Sequence, residues 1–347
     1  MASSKHQSLK KILVIRNDKL GDFMLAYSSF ALLKENMPEA SVYALVPHYT
    51  SEMAETCPWV DHILIDPSPK AGWRSGFALS ELFKKERFDA VITLYSRARV
   101  GLASVLSKIP YRFAPATRFA QIFYNHRLTQ RRSRSEKPEY VYNEDLIRHF
   151  LKQQKISSHK EPGPPYLHFD DHEIAQKRLR FCETHQLDPQ NALVFLHSGS
   201  GGSANNLTVE QYAKLANHLK SGKGHTIILT AGPGELEHAK ILSKQLPHTP
   251  HVVYYSTFGL QNFAKHIQFA DVFISGSTGP LHIAGALDTP TAAFYPRRRS
   301  ATALRWQTLN SPKRRLGFSP DEKHDDEKIL NVDLEKAAGL ISERFLS

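Results

Sequence analysis

Several short stretches hold residue types and spacings that could do chemistry. In Arg16-Asn17-Asp18-Lys19-Leu20-Gly21-Asp22, an aspartate falls where an apolar, strand-like run gives way to a helical pattern. An acid at a helix start is an ordinary placement. At the carboxyl end of a sheet strand the same side chain is also a candidate general base. Arg16, Asn17 and Lys19 make the loop polar and partly cationic, and with the helix dipole they favour the ionised carboxylate. A second stretch, Ser275-Gly276-Ser277-Thr278-Gly279-Pro280, follows the apolar run 271–275 and opens another helix. Pro280 suits the first helical position, which makes Gly279 or Thr278 the N-cap. The amides of Leu281, His282 and Ile283 would then point back toward the loop as free donors. A helix start of this kind, with the hydroxyls of Ser275, Ser277 and Thr278 around it, points to an anion such as phosphate. His282 alone reads as a structural histidine.

Three further loops end strand-like runs. His197-Ser198-Gly199-Ser200-Gly201-Gly202-Ser203-Ala204-Asn205-Asn206 is neither a dinucleotide fingerprint nor a Walker loop. Its position after a buried strand suits a phosphate-binding loop better than a flexible linker. Glu235, in the stretch 230–237, sits at a helix start. There it complements the dipole, the favoured reading, and a carboxylate so placed can also accept both hydroxyls of a ribose. Arg297, Arg298 and Arg299 follow the run 291–295, at an edge where a pyrophosphate would lie.

The elements that must position these residues alternate regularly. Short β-branched runs at 11–16, 41–47, 62–67 and 90–95, with a weaker one at 111–115, are separated by helical patterns such as 21–38. The stretch 156–169, rich in Pro, Ser and Gly, reads as a linker. Beyond it the alternation restarts, with strands at 192–197, 226–231, 252–255, 271–275 and 291–295 and helices at 209–221, 235–246 and 279–287; a last helix covers 333–346. Strands joined by helices of this length imply right-handed βαβ units and parallel sheets, hence two consecutive α/β domains. Ligands in such sheets bind beyond the carboxyl ends of the strands.

Composition bounds the partners. The 347 residues are 41% hydrophobic and 23% charged, which is globular, and the formal net charge of +11 favours an anionic partner. No run is long and apolar enough for a membrane span, and residues 1–10 lack the apolar core of a signal peptide, so a cytosolic location is expected. Two distant cysteines, Cys57 and Cys182, exclude a disulfide framework and a thiolate zinc site. There is no H-E-x-x-H and no G-x-S-x-G elbow. Part of the charge is concentrated in 118–137, where Phe119, Ile122, Phe123, Tyr124 and Leu128 interleave with arginines. That pattern suits either a solvated surface or attachment to an anionic lipid face.

The strand–Leu20-Gly21-Asp22–helix at the start, the Gly/Ser loop 198–203 and Ser277-Thr278-Gly279-Pro280-Leu281-His282-Ile283-Ala284 resemble glycosyltransferase family 9, the ADP-heptose:lipopolysaccharide heptosyltransferases, over most of the chain. The resemblance implies an α/β GT-B fold: two Rossmann-like domains with parallel sheets facing a central cleft. The expected division is an acceptor-binding domain over 1–160, a nucleotide-sugar-binding domain over 161–325, and a C-terminal helix over 326–347 that packs back on the first domain. It further implies inverting, metal-independent transfer of a heptose from ADP-heptose to the inner core of lipopolysaccharide or lipooligosaccharide. Asp22 would be the catalytic base. Donor contacts would come from Ser198, Gly199, Ser200, Gly201, Ser203, Asn205, Glu235, Ser277, Thr278, Gly279, Pro280, His282 and Arg297. Acceptor contacts would come from Lys19, Arg118, Arg127 and Arg131. Ser277 stands where many members carry aspartate, and Asn205 where heptosyltransferases often carry a lysine, so Arg297–Arg299 are expected to neutralise the leaving diphosphate. The expected enzyme is a monomer that needs no cofactor and works at the cytoplasmic face of the inner membrane. Another nucleotide sugar, a noncatalytic nucleotide-sugar binder and, from charge alone, a nucleic-acid binder are the alternatives.

Overall fold

The computed structural model describes residues 9–67, 72–117, 119–156, 160–199, 206–320 and 331–347. The chain forms two compact units: Met1–Arg132 with Tyr140–Pro162, and Ser133–Glu139 with Gly163–Ser347.

The first unit is built from β1 (Lys11–Ile15), α1 (Leu20–Met24), α2 (Tyr27–Asn36), β2 (Ser41–Pro47), α3 (Ser51–Glu55), β3 (His62–Asp66), α4 (Gly76–Glu86), β4 (Ala90–Thr93), α5 (Ala98–Leu106), β5 (Tyr111–Pro115), β6 (His126–Leu128) and α6 (Glu139–Gln153). Its six strands are all parallel, in the order β3-β2-β1-β4-β5-β6. Both faces of the central strands are buried, so β1 reads as an unbroken apolar run rather than an alternating one. Leu13 and Ile15 pack with Leu79, Phe83, Val100 and Ala103 of the α4–α5 layer. The predicted single helix over 21–38 is two helices, because Leu25 and Ala26 close α1 before α2 begins.

The second unit repeats the plan with α7 (Asp171–Thr184), β7 (Ala192–His197), α8 (Val209–His218), β8 (His225–Ala231), α9 (Leu236–Lys244), β9 (His251–Tyr255), α10 (Gly259–Gln268), β10 (Val272–Gly276), α11 (Gly279–Ala286), β11 (Thr291–Phe294), β12 (Arg315–Phe318) and α12 (Leu334–Ile341). The strand order is β12-β11-β10-β7-β8-β9, again all parallel. Counted from its own first strand, this is the order of the first sheet. In each unit the order reverses beside the first strand, between β1 and β4 and between β7 and β10. A crevice opens at such a reversal, outside the carboxyl ends of the strands.

The last helix packs within its own unit: Leu334, Ala337, Ala338 and Ile341 of α12 lie in the second unit's core, with Leu215 and Ala216 of α8. Ser133–Glu139 groups with the second unit although the chain on both sides of it groups with the first. The Glu139 carboxylate, 1% exposed, pairs with Arg305, and the Glu139 amide donates to the Arg305 carbonyl at 2.8 Å.

Candidate active site

In the first unit Asp22 sits in the first turn of α1, directly beyond β1, and is buried. Lys19, the residue before that helix, is extended and exposed. Asp22 pairs with Arg16, the residue that follows β1. Arg16 is itself buried, donates to Asp22 through Nη2 and to Asp18 Oδ1 through Nε at 3.0 Å. Its Nη1 reaches Asn143 Oδ1 at 3.3 Å, and the same oxygen accepts from Arg132 Nη1 at 3.3 Å. The Asn143 amide nitrogen is buried without a hydrogen-bond partner. A buried charge without its counter-ion is costly, and this chain of groups supplies one. A second buried set lies beside it: Arg99 grips both oxygens of Asp66 at 2.7 and 2.6 Å, and Asn17 donates to the same carboxylate. The sequence showed Arg16 only as part of a polar loop. Arg132 showed only as one cation of the basic stretch 118–137 and Asn143 carried no signal, because their roles here depend on contacts with residues far away in sequence.

Arg127, on the edge strand β6, and Arg131 are both exposed. Arg118 lies outside the described residues, as do Ser200, Gly201, Ser203 and Asn205.

In the second unit the two loops flanking the reversal point, after β7 and after β10, are brought together. Ser275 pairs with His197 in the β10–β7 register, so their continuations start side by side. Gly276 approaches Asn206 so closely that a Cβ there would overlap the amide oxygen, and Gly199 lies just as close to the Glu235 carboxylate. Tyr212 of α8 ties the two loops, its hydroxyl donating to Asn206 and accepting from the Gly276 amide. Asn206 in turn reaches the carbonyls of Ser198 and Gly199 at 3.3 and 3.4 Å. The Glu235 carboxylate accepts from the Gly232 amide at 2.9 Å and lies 3.8 Å from His197 Nε2. Burial lowers the pKa of His197, and Glu235 opposes that shift. Glu235 is the N-cap of α9, in keeping with the helix-start reading.

Thr278, rather than Gly279, is the N-cap of α11, with Pro280 in the first turn. One expectation changes here: the amides of Leu281 and His282 are not free. Leu281 donates to Thr278 Oγ1 at 3.5 Å and His282 to the Thr278 carbonyl at 3.3 Å. Ser275 and Thr278 share a hydroxyl hydrogen bond of 3.1 Å, while Ser277, Gly279 and Pro280 stay half-buried at the mouth. His282 is 3% exposed, its Nδ1 has no partner, and burial lowers its pKa to about 4. It is therefore neutral near pH 7. Arg297, three residues beyond β11, is half-buried, whereas Arg298 and Arg299 are exposed. No group of three or more His, Cys, Asp or Glu that could hold a metal ion occurs among the described residues.

Each unit thus presents a Rossmann-like reversal point, one lined by a charged network and one by glycines and neutral donors. The model of glycosyltransferase family 9 (heptosyltransferase) matches residues 77–327. The chain belongs to this family. A provisionally named glycosyltransferase of Haemophilus influenzae is 44% identical over 324 residues, covering 93% of each chain. Among solved structures, a family 9 glycosyltransferase from Veillonella parvula superposes with a TM-score of 0.79 at 17% identity, covering 98% of this chain and 99% of that one. The ADP-heptose lipopolysaccharide heptosyltransferase II of Escherichia coli gives 0.75 at 16% identity, covering 97% and 98%. These likenesses, with two six-stranded parallel sheets, establish the GT-B fold of this family 9 glycosyltransferase.

Proposed function

We propose that this protein transfers a heptose from ADP-heptose to the inner core of lipopolysaccharide or lipooligosaccharide, on an acceptor bearing Kdo or heptose on lipid A. The observation that carries the reading is the pair of loops after β7 and β10. They present glycine backbone and hydroxyls at the reversal point, with Glu235 at their edge to accept ribose hydroxyls. Relatives named as heptosyltransferases acting on lipopolysaccharide and lipooligosaccharide support the sugar and the acceptor class.

In this mechanism Asp22 removes the proton of the acceptor hydroxyl as its oxygen attacks the anomeric carbon. The bond from that carbon to the diphosphate oxygen breaks, and its electron pair leaves with ADP, inverting the centre. Arg16 holds the Asp22 carboxylate in position. The dipole at the start of α11, Ser277 and Arg297 stabilise the negative charge that develops on the diphosphate. Acceptor phosphates meet Lys19, Arg118, Arg127 and Arg131, and the monomeric enzyme works without a metal at the cytoplasmic face of the inner membrane. The test is release of ADP from ADP-heptose in the presence of truncated lipopolysaccharide acceptors. Acceptor-dependent release is expected, with a raised donor KM in Arg297→Ala. Release from a different nucleotide sugar alone would overturn the heptose assignment, a second reading favoured by Ser277 standing where many members carry an acid.

A further inference from the structure

The first unit carries an apolar patch that no step above uses. Trp73 and Phe77 are 57% and 55% exposed, and Phe119 and Ile122 are 72% and 57% exposed. They belong to two places that flank one helix. The turn Trp73–Ser75 and the start of α4 pack on α5, where Gly76 meets Leu102 and Ser75 Oγ accepts from Arg99 at 2.6 Å. On another side of α5 the turn Phe119–Phe123 packs so closely that a Cβ on Gly101 would overlap Phe123, and the Tyr124 hydroxyl reaches the Arg97 carbonyl at 3.4 Å. Single exposed apolar residues are normal on a soluble surface, but four large ones gathered around one helix are not.

Their placement follows from the sheet. The first turn follows β3, α5 follows β4 and the second turn follows β5. In a parallel sheet these are all carboxyl ends, the edge at which Asp22 follows β1. The stretch that carries the second turn has charge of one sign, whereas α4 has Glu81 exposed one turn from Phe77. Residues 95 to 135 contain no aspartate or glutamate, yet carry nine arginines and lysines, and Arg74 lies over the Trp73 ring at 5.7 Å. Some of these cations are spent, as Arg99 is on Asp66 and Arg134 is on Glu136 just beyond the stretch, but the stretch itself has no acid to offset the others.

We infer that this face docks on an anionic lipid bilayer, with Trp73, Phe77, Phe119 and Ile122 entering the headgroup boundary and the surrounding arginines meeting lipid phosphates. Aromatic and aliphatic side chains ringed by arginine suit that boundary, and each element alone binds weakly where both together anchor. The inference deepens the lipid-acceptor reading, since it brings the edge holding Asp22 to the surface where a lipid-borne sugar would be. It does not depend on the donor.

The experiment is sedimentation of the full chain with vesicles of phosphatidylethanolamine and phosphatidylglycerol, against vesicles of phosphatidylcholine alone. Binding only to the anionic vesicles is expected, weakened but not abolished by salt. In a chain carrying Trp59→Phe and Trp306→Phe, the remaining Trp73 should be quenched by brominated lipid. Phe119→Ser with Ile122→Ser should weaken binding at least about tenfold while the melting temperature and ADP release with a soluble truncated acceptor stay unchanged. Undiminished vesicle binding in that variant, or binding without quenching of Trp73, would overturn the inference. So would a wild-type dimer that the same variant converts to monomer, because a second copy would then be the occupant. Because ADP release is read separately, failure of vesicle binding leaves the transferase reading intact, and failure of ADP release leaves the docking result intact.

Discussion

The two reversal points solve the same placement problem with opposite materials. At the first, β1 runs into Arg16 and Asp22, an ion pair tied by hydrogen bonds through Asn143 to Arg132. At the second, β7 and β10 run into glycines, hydroxyls and Asn206, with Tyr212 as the tie and no ion pair between the loops themselves among the described residues. In the proposed roles, a carboxylate that accepts a proton needs a fixed orientation and a counter-ion, and a surface that meets a diphosphate needs room beside its backbone. The difference teaches that the same βαβ frame fixes where a site lies, and that the residues after each strand, with the distant side chains they meet, fix what it can do.

Four changes test that contrast, and Asp22→Asn should have the largest effect. It removes the base without changing shape, so kcat should fall by about 10²–10⁴-fold while calorimetric affinity for ADP stays unchanged. Near-normal turnover would take Asp22 out of the mechanism. Arg16→Gln should come next. It leaves a buried carboxylate without its counter-ion, and the chain should lose about 3–5 kcal/mol in denaturant titration. A loss below about 1 kcal/mol would mean that the network adds little beyond a surface pair. At the second point Gly276→Ala forces a Cβ onto Asn206. Overpacking of this kind costs about 1–3 kcal/mol, so the donor KM should rise roughly tenfold with kcat less affected; an unchanged KM would show that the loops tolerate separation.

The smallest effect is on pH. Burial holds His282 and His266 at about 4, below the ordinary value of 6.5. The unfolded chain then binds more protons than the folded one between these values, so stability is full above 6.5 and is lost as pH falls toward 4. Each group contributes at most about 1.4 kcal/mol per pH unit. Hydrogen exchange, corrected for its intrinsic rate, should show α10 and α11 losing protection from pH 7 to pH 5 before β1 and β2 do. Equal loss in both places would remove the two histidines as the cause.

The sequence was most legible where one element decides the outcome. Buried parallel strands announce themselves as apolar runs, and Thr278 with Pro280 spells a helix start within a few residues. The short edge strands β6 and β12 were missed, because three or four residues carry too little pattern. The charged network was harder still. Arg16 and Asn143 are 127 positions apart, and nothing local in either one names the other. The pattern of α12 shows that it has an apolar face, but not that α8 would cover it. The free amides expected at α11 were lost to Thr278, a cap whose hydrogen bonds only the folded turn displays.

The short segment Ser133–Glu139 has a consequence for how the chain is made. Its anchor, Arg305, lies far downstream and leaves the ribosome much later, on the order of ten seconds at ordinary elongation rates. Until then the Glu139 carboxylate, among the most enclosed acids of the finished protein, lacks the Arg305 guanidinium. Every strand of the first sheet precedes that segment, so the half of the enzyme that holds Asp22 can be assembled while the nascent chain still waits to fasten its own middle.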